Sequence, residues 1–231
     1  MSRAQEAQEA SAGSDGAHGT LGGMSTWVKI CGLSTPETVD AAVAAGADAV
    51  GFVFAPGSPR TVDAATARAL VARVPEGVET VGVFRGQGVG AVLELARASG
   101  VSTVQLHGDE APADVAAVQA AGFRVIRAVS ASRYVSETEE ERVAFGEDAL
   151  LLDAVEPGAG AVFDAAPLLS APPARPWLLA GGLTPGTVAE LLAAARPAGA
   201  VGVDVSSGVE SSRGVKDARL IADFVAAART P

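Results

Sequence analysis

Apolar positions along the chain fall into two alternating registers. Short runs rich in Val, Ile, Leu and Phe, namely WVKIC (27–31), DAVGFVF (48–54), TVGVF (80–84), TVQLH (103–107), RVIRAV (124–129), ALLLD (149–153), WLLAG (177–181) and AVGVDV (200–205), read as strands. Between them lie alanine-rich stretches with helical spacing: TPETVDAAVAAGA (35–47), DAATARALVARV (63–74), VGAVLELARASG (89–100), APADVAAVQAAG (111–122), the segment around SETEEERVAF (136–145), FDAAPLLS (163–170) and TPGTVAELLAAA (184–195). VKDARLIADFVAA (215–227) follows the last strand as a further helix. Gly46, Gly100 and Gly122 stand where helices stop, and Pro36 and Pro185 near helix starts, where a missing N–H costs little. Near-continuous apolar strands alternating with amphipathic helices make parallel βα units, and eight of them predict a single (β/α)8 TIM barrel. A doubly wound sheet is the runner-up, disfavoured because no Gly-x-Gly-x-x-Gly turn follows the first strand.

The first 23 residues lack any apolar periodicity and are rich in Ala, Gly, Ser and Glu. They are read as a disordered tail, 1–23, ahead of a barrel domain, 24–231, with Met24 standing just before the first strand; His18, inside the tail, receives no role.

Composition narrows the chemistry without naming it. With 48% hydrophobic and 19% charged residues, the 231-residue chain can bury a substantial core. A single cysteine, no secretory h-region and no membrane-length apolar run point to the cytoplasm and away from a membrane. Two histidines make a zinc cluster improbable, so no metal is expected. A formal charge of −10 argues against nucleic acid as a partner but leaves room for a small anion in a locally positive pocket.

A barrel places its working residues at the carboxyl ends of the strands. Cys31 ends the first, and alternation puts Lys29 on the same face. If that face is the interior, an ammonium near the sulfur is expected to lower the thiol pKa from its usual value of about 8.5 and poise it as a base. Asp153 ends the sixth strand after three leucines, a setting that tends to raise a carboxyl pKa and suits proton donation. Asp204 repeats the pattern on the eighth, sharing a face with Gly202 while Val201, Val203 and Val205 take the other. Two loops look built for phosphate: Gly181 and Gly182 after strand seven, with Thr184 and Pro185 opening a helix, and Ser206, Ser207 and Gly208 after strand eight. Against these stand plain alternatives: a buried small hydrophobe for Cys31, a turn-capping Asp153 and ordinary loop punctuation at the glycines.

Taken in order, VKICGL, GADAVGFVF with SPR, VQLHGDE, LLLDA, AGGLTP, and GVDVSSGVE with GVKDARLI resemble the motif series of the phosphoribosylanthranilate isomerase family. The motifs run from Lys29 to Asp217, nearly all of the chain after the tail. The resemblance implies a cofactor-free Amadori rearrangement of a phosphosugar–anthranilate substrate in tryptophan biosynthesis, by a monomer or homodimer. It implies Asp153 as general acid toward the ribose ring oxygen, Cys31 as general base toward the C2′ proton, and Arg60 facing the anthranilate. His107 resembles a substrate-pocket residue of the family, and Gln105 shares its inward parity on strand four. The chain departs from the family where Pro157 replaces a glycine and Ala165 a tryptophan after the acid, with an altered KM as the expected consequence. Two rivals use the same barrel: a two-aspartate sugar-phosphate isomerase, against which Cys31 argues, and a catalytically silent phosphate-binding barrel, against which the pairing of Cys31 with Asp153 argues.

Overall fold

The computed structural model describes residues 25–153, 166–170 and 172–230. The expected tail, and the departures at Pro157 and Ala165, lie outside these residues. The apolar runs form strands β1 (Trp27–Cys31), β2 (Ala49–Val53), β3 (Glu79–Phe84), β4 (Thr103–Leu106), β5 (Arg124–Ser130), β6 (Ala149–Asp153), β7 (Trp177–Ala180) and β8 (Ala200–Val205). They pair in parallel and in chain order, and β8 returns to pair with β1, closing the barrel. That closure rules out the doubly wound alternative.

The helices are α1 (Pro36–Ala44), α2 (Ala64–Val71), α3 (Val89–Ser99), α4 (Pro112–Ala120), α5 (Ala131–Ser136), α6 (Glu139–Phe145), α7 (Ala166–Ser170), α8 (Val188–Ala195) and α9 (Ala218–Ala228). Local chemistry sets their starts. Thr35 and Asp63 accept from the Thr38 and Thr66 N–H groups, and Asp217 accepts from Arg219 and Leu220, each satisfying donors that the first helical turn leaves over. Pro36 sits in the first turn of α1 as expected. Gly100 ends α3 in the left-handed region at φ 77°, and Gly46 and Gly122 adopt positive φ just past α1 and α4.

Three expectations need correction. The segment around 136–145 is two short helices, because Ser130 and Thr138 each cap a start of their own. Pro185 does not open a helix: residues 185–187 form a turn, the Thr184 N–H donates to Thr187 Oγ1, and α8 begins at Val188. Val215 and Lys216 are β10 (Val215–Lys216), antiparallel to β9 (Glu210–Ser212) and turned at Gly214, so the last helix starts at Ala218.

Side-chain alternation divides the core in two. Val28, Ile30, Val50, Phe52, Val104, Leu150, Leu152 and Leu179 face the helices, while a smaller cluster that includes Ala49, Val81, Val83, Ile126, Leu151 and Leu178 fills the barrel interior. Trp177 is fully buried on the outer layer, its indole N–H donating to the Ala198 carbonyl at 2.9 Å. Alternation on β8 is broken once. Ala200 and Gly202 pair with Trp177 and Leu178, so Val201 is an extra residue and packs on the interior cluster rather than with Val203 and Val205. At the seam, a Cβ on Gly202 would stand 2.2 Å from the Trp27 carbonyl oxygen, so closure requires glycine there.

Candidate active site

The interior face of β1 carries Lys29 and Cys31, in register with Asp204 of β8 and Gly51 of β2 respectively. Lys29 is wholly buried, and its Nζ donates to Asp204 Oδ1 at 2.6 Å. Burial alone would lower the pKa of this ammonium. The Asp204 carboxylate and the nearby Cys31 sulfur outweigh that, so its pKa lies above the ordinary lysine value and the cation persists. Gly51 leaves room beside the thiol, since a Cβ there would stand 3.1 Å from Cys31 Sγ.

The Cys31 pKa is raised on balance despite the nearby Lys29, contrary to the expectation from strand parity. Burial pushes the thiol above its ordinary value and exceeds the downward pull of Lys29, whose charge is shared with Asp204; Asp204 itself pushes the thiol further up. Cys31 is therefore held as a protonated thiol around neutral pH.

The loops after β7 and β8 meet backbone to backbone. Gly181 and Gly182 adopt φ of 88° and 67°, a region open to glycine but not to larger residues without strain. Ser207–Val209 form one turn of 3-10 helix, in which Gly208 lies so near the first loop that a Cβ would fall 1.7 Å from the Leu183 carbonyl oxygen.

Beside Ser206 lies an ion cluster that sequence reasoning did not assign. Arg60 Nε and Nη2 donate to Glu210 Oε1 and Oε2 at 2.6 and 2.9 Å. Lys216 Nζ donates to Glu210 Oε1 and to the Ser206 carbonyl, both at 2.8 Å, and the Gly214 N–H donates to Glu210 Oε2. Burial works to raise the Glu210 pKa, but these donors override it and hold the carboxyl at about 2. Sequence offered one usable signal, an acidic and a basic residue either side of an Arg-Gly turn in GVESSRGVK, which is the hairpin that builds the cluster.

At the end of β6, Asp153 is half-buried and in register with Ser130 and Ala180. Gln105 on β4 and His107, just past its end, both line the cavity. Burial lowers the His107 pKa against the opposing pull of Asp153 and Asp204, leaving a neutral imidazole near pH 7. Gln105 Oε1 is buried without a hydrogen-bond partner.

The residues singled out from sequence converge. A cavity of about 380 Å³ at the carboxyl ends of the strands is lined by Cys31, Arg60, Gln105, His107, Asp153 and Asp204 together with Gly181, Gly182, Ser206, Ser207 and Gly208, every position singled out from sequence. Ser58 and Arg85 line it as well and were not anticipated.

Fold and cavity define a (β/α)8-barrel enzyme that acts on a small molecule at the carboxyl face of its strands. Residues 28–227 match the family model described as N-(5′-phosphoribosyl)anthranilate (PRA) isomerase. The chain belongs to that family. Over 214 residues it is 42% identical to the N-(5′-phosphoribosyl)anthranilate isomerase of Rhodopseudomonas palustris (strain HaA2), covering 89% of this chain and 97% of that protein. It superposes on the crystal structure of TrpF from Jonesia denitrificans with a TM-score of 0.78 at 46% identity, over 88% of this chain and 97% of that one. A phosphoribosylanthranilate isomerase crystallised with reduced 1-(o-carboxyphenylamino)-1-deoxyribulose 5-phosphate matches at TM-score 0.74 and 34% identity, over 88% and 98% of the two chains.

Proposed function

We propose that this protein isomerises N-(5′-phosphoribosyl)anthranilate to 1-(2-carboxyphenylamino)-1-deoxyribulose 5-phosphate in tryptophan biosynthesis, with Asp153 as general acid and Cys31 as general base. One observation carries the assignment: a thiol from β1 and a carboxyl from β6 open into a single cavity whose rim between those two strands carries the pair of glycine-bearing loops.

The chemistry follows from what each group can hold. Backbone N–H groups of the loops at Gly181–Gly182 and Ser206–Gly208 receive the phosphate, and the Arg60–Glu210–Lys216 cluster, net positive by one charge, adds attraction beside Ser206. Asp153 delivers a proton to the ribose ring oxygen as the C1′–O bond breaks, leaving an iminium at C1′. The iminium acidifies the C2′ hydrogen, so a thiolate suffices to remove it, and the resulting enolamine tautomerises to the ketone. Lys29 and Asp204 hold the charge balance around the sulfur, and Lys29 favours the thiolate as it forms. Arg60 presents its remaining Nη1 and its flat face to the aryl end, while His107 and Gln105 offer neutral hydrogen-bonding groups.

The assembly is proposed to be a monomer or a homodimer. Among the described residues no helix is long and apolar enough to cross a membrane; the cytoplasmic placement is proposed from composition.

Turnover of phosphoribosylanthranilate by the purified protein tests the function. Cys31→Ser and Asp153→Asn test the assignment, with kcat falling by about 10²-fold or more in each and KM moving less. Absence of turnover by the unaltered protein would defeat the function; near-normal kcat in either variant would defeat that residue's role.

A further inference from the structure

The chain has only two lysines, Lys29 and Lys216, and both are buried. Lys29 balances charge beside Cys31. Lys216 has no such place in the chemistry: its side chain is 1% exposed, and it does not line the cavity. Taking an ammonium out of water is costly, so its bonding partners matter. Lys216 Nζ meets Glu210 Oε1 and the Ser206 carbonyl, both at 2.8 Å, and Ser206 Oγ at 3.2 Å. An ammonium has three donors, and these contacts use all of them, leaving none for a ligand.

The backbone explains why that carbonyl is worth holding. Ser206 directly follows β8, and Ser206, Ser207 and Gly208 line the cavity. The chain then runs through β9, turns at Gly214 and returns along β10, where the Asp217 N–H donates to the Val209 carbonyl at 3.0 Å. Lys216 is thereby brought back onto the loop that the chain left ten positions earlier. A trans peptide is planar, with its C=O and N–H pointing in opposite directions. In the Ser206–Ser207 peptide the carbonyl is held by Lys216 and by the Val209 N–H, so the Ser207 N–H is turned away from the ion cluster.

Resting on the phosphate site proposed above, we infer that Lys216 is a positioning residue for that anion: it holds the Ser206 carbonyl back so that the Ser207 N–H faces the phosphate. Glu210 completes the arrangement from behind. Fixed by the fork of Arg60 and by the Gly214 N–H, it keeps the ammonium on the carbonyl rather than releasing it to the anion.

Orientation and charge make different demands on the same residues. In Lys216→Met the cluster loses one positive charge and the carbonyl loses its clamp. In Lys216→Met/Glu210→Gln the net charge returns to that of the unaltered protein while the clamp stays absent. The double variant also removes the buried carboxylate that the single one leaves short of a partner, so it carries the test should the single variant fold poorly. Binding of inorganic phosphate to all three proteins is measured by calorimetry, with melting temperatures alongside. Misalignment of one charge-assisted backbone bond sets an expected rise in the dissociation constant of about tenfold or more in both variants. KM for phosphoribosylanthranilate should rise by a similar factor while kcat falls by no more than about threefold. Phosphate affinity restored in the double variant would make Lys216 a source of charge alone; affinity unchanged in both, with a lowered melting temperature, would make it a staple of the hairpin. Either result overturns the inference, as does a kcat loss as large as the rise in KM, or failure of the unaltered protein to bind phosphate. Calorimetry needs no turnover, so an unaltered protein that binds phosphate as expected but does not convert phosphoribosylanthranilate loses the proposed function and keeps this assignment.

Discussion

Cys31 lies in a contest between burial, which keeps its proton on, and Lys29, which would take it off, and burial prevails. The sign of the pH dependence follows. If the thiolate is the base, kcat/KM climbs as pH rises through and beyond the ordinary thiol range near 8.5, and this limb vanishes in Cys31→Ser. Lys29→Met removes the opposing charge, so its limb should shift to higher pH. It also leaves the Asp204 carboxylate buried and uncompensated, which costs about 3–5 kcal/mol. The double variant Lys29→Met/Asp204→Asn no longer buries a lone charge, so its urea midpoint should recover relative to the single variant, while its pH limb should move only part of the way back, because the upward push of Asp204 on the thiol is removed as well. A limb at the original pH in Lys29→Met would mean that the ammonium does not act on the sulfur.

At the scale of elements, the loops after β7 and β8 are proposed to bind phosphate through backbone, so side chains and glycines there should behave differently. Ser207→Ala removes one hydroxyl and should raise the inhibition constant of inorganic phosphate by no more than a few-fold. Gly208→Ala forces a methyl group toward the Leu183 carbonyl and should raise it by about tenfold or more as the loops part. Equal effects would place the anion elsewhere. The same contrast explains what was legible in sequence. Glycines, terminal carboxylates and strand parity are local signals, and they located most of the polar residues now found around the cavity; Arg60 came from the family resemblance, and Ser58 and Arg85 gave no such signal. What escaped was long-range: the pairing of Arg60 with Glu210 across 150 positions, and the net effect of burial on Cys31, neither encoded in neighbouring residues. The misread stretches share a cause too. Thr138 and the turn at Gly214 are short punctuations inside segments whose apolar spacing still looks helical, and the bulge at Val201 inserts one residue into an otherwise regular alternation.

For the molecule as a whole, Glu210 links β8, the hairpin and the Arg60 loop, and its carboxyl titrates at about 2 against an ordinary value of 4.5. A depressed acid stabilises the fold above its unfolded pKa and loses that contribution as pH falls through the folded one. Thermal stability should therefore decline between about pH 4.5 and 2 more steeply in the unaltered protein than in Glu210→Gln. Equal slopes would show that the cluster does not contribute. Residues 1–23 are proposed to be dispensable, so a chain beginning at Met24 should keep the melting temperature and turnover of the full one. The seam between β1 and β8 also bears on synthesis. Lys29 emerges among the first folded residues, yet its counter-charge lies 175 positions later. Until that last strand is made, a nascent chain that collapsed early would enclose a lone ammonium, an outcome costly enough to keep the ring open. The Lys29–Asp204 bond would thus double as a completion check, and a chain cut short of Asp204 is expected to leave the ring open.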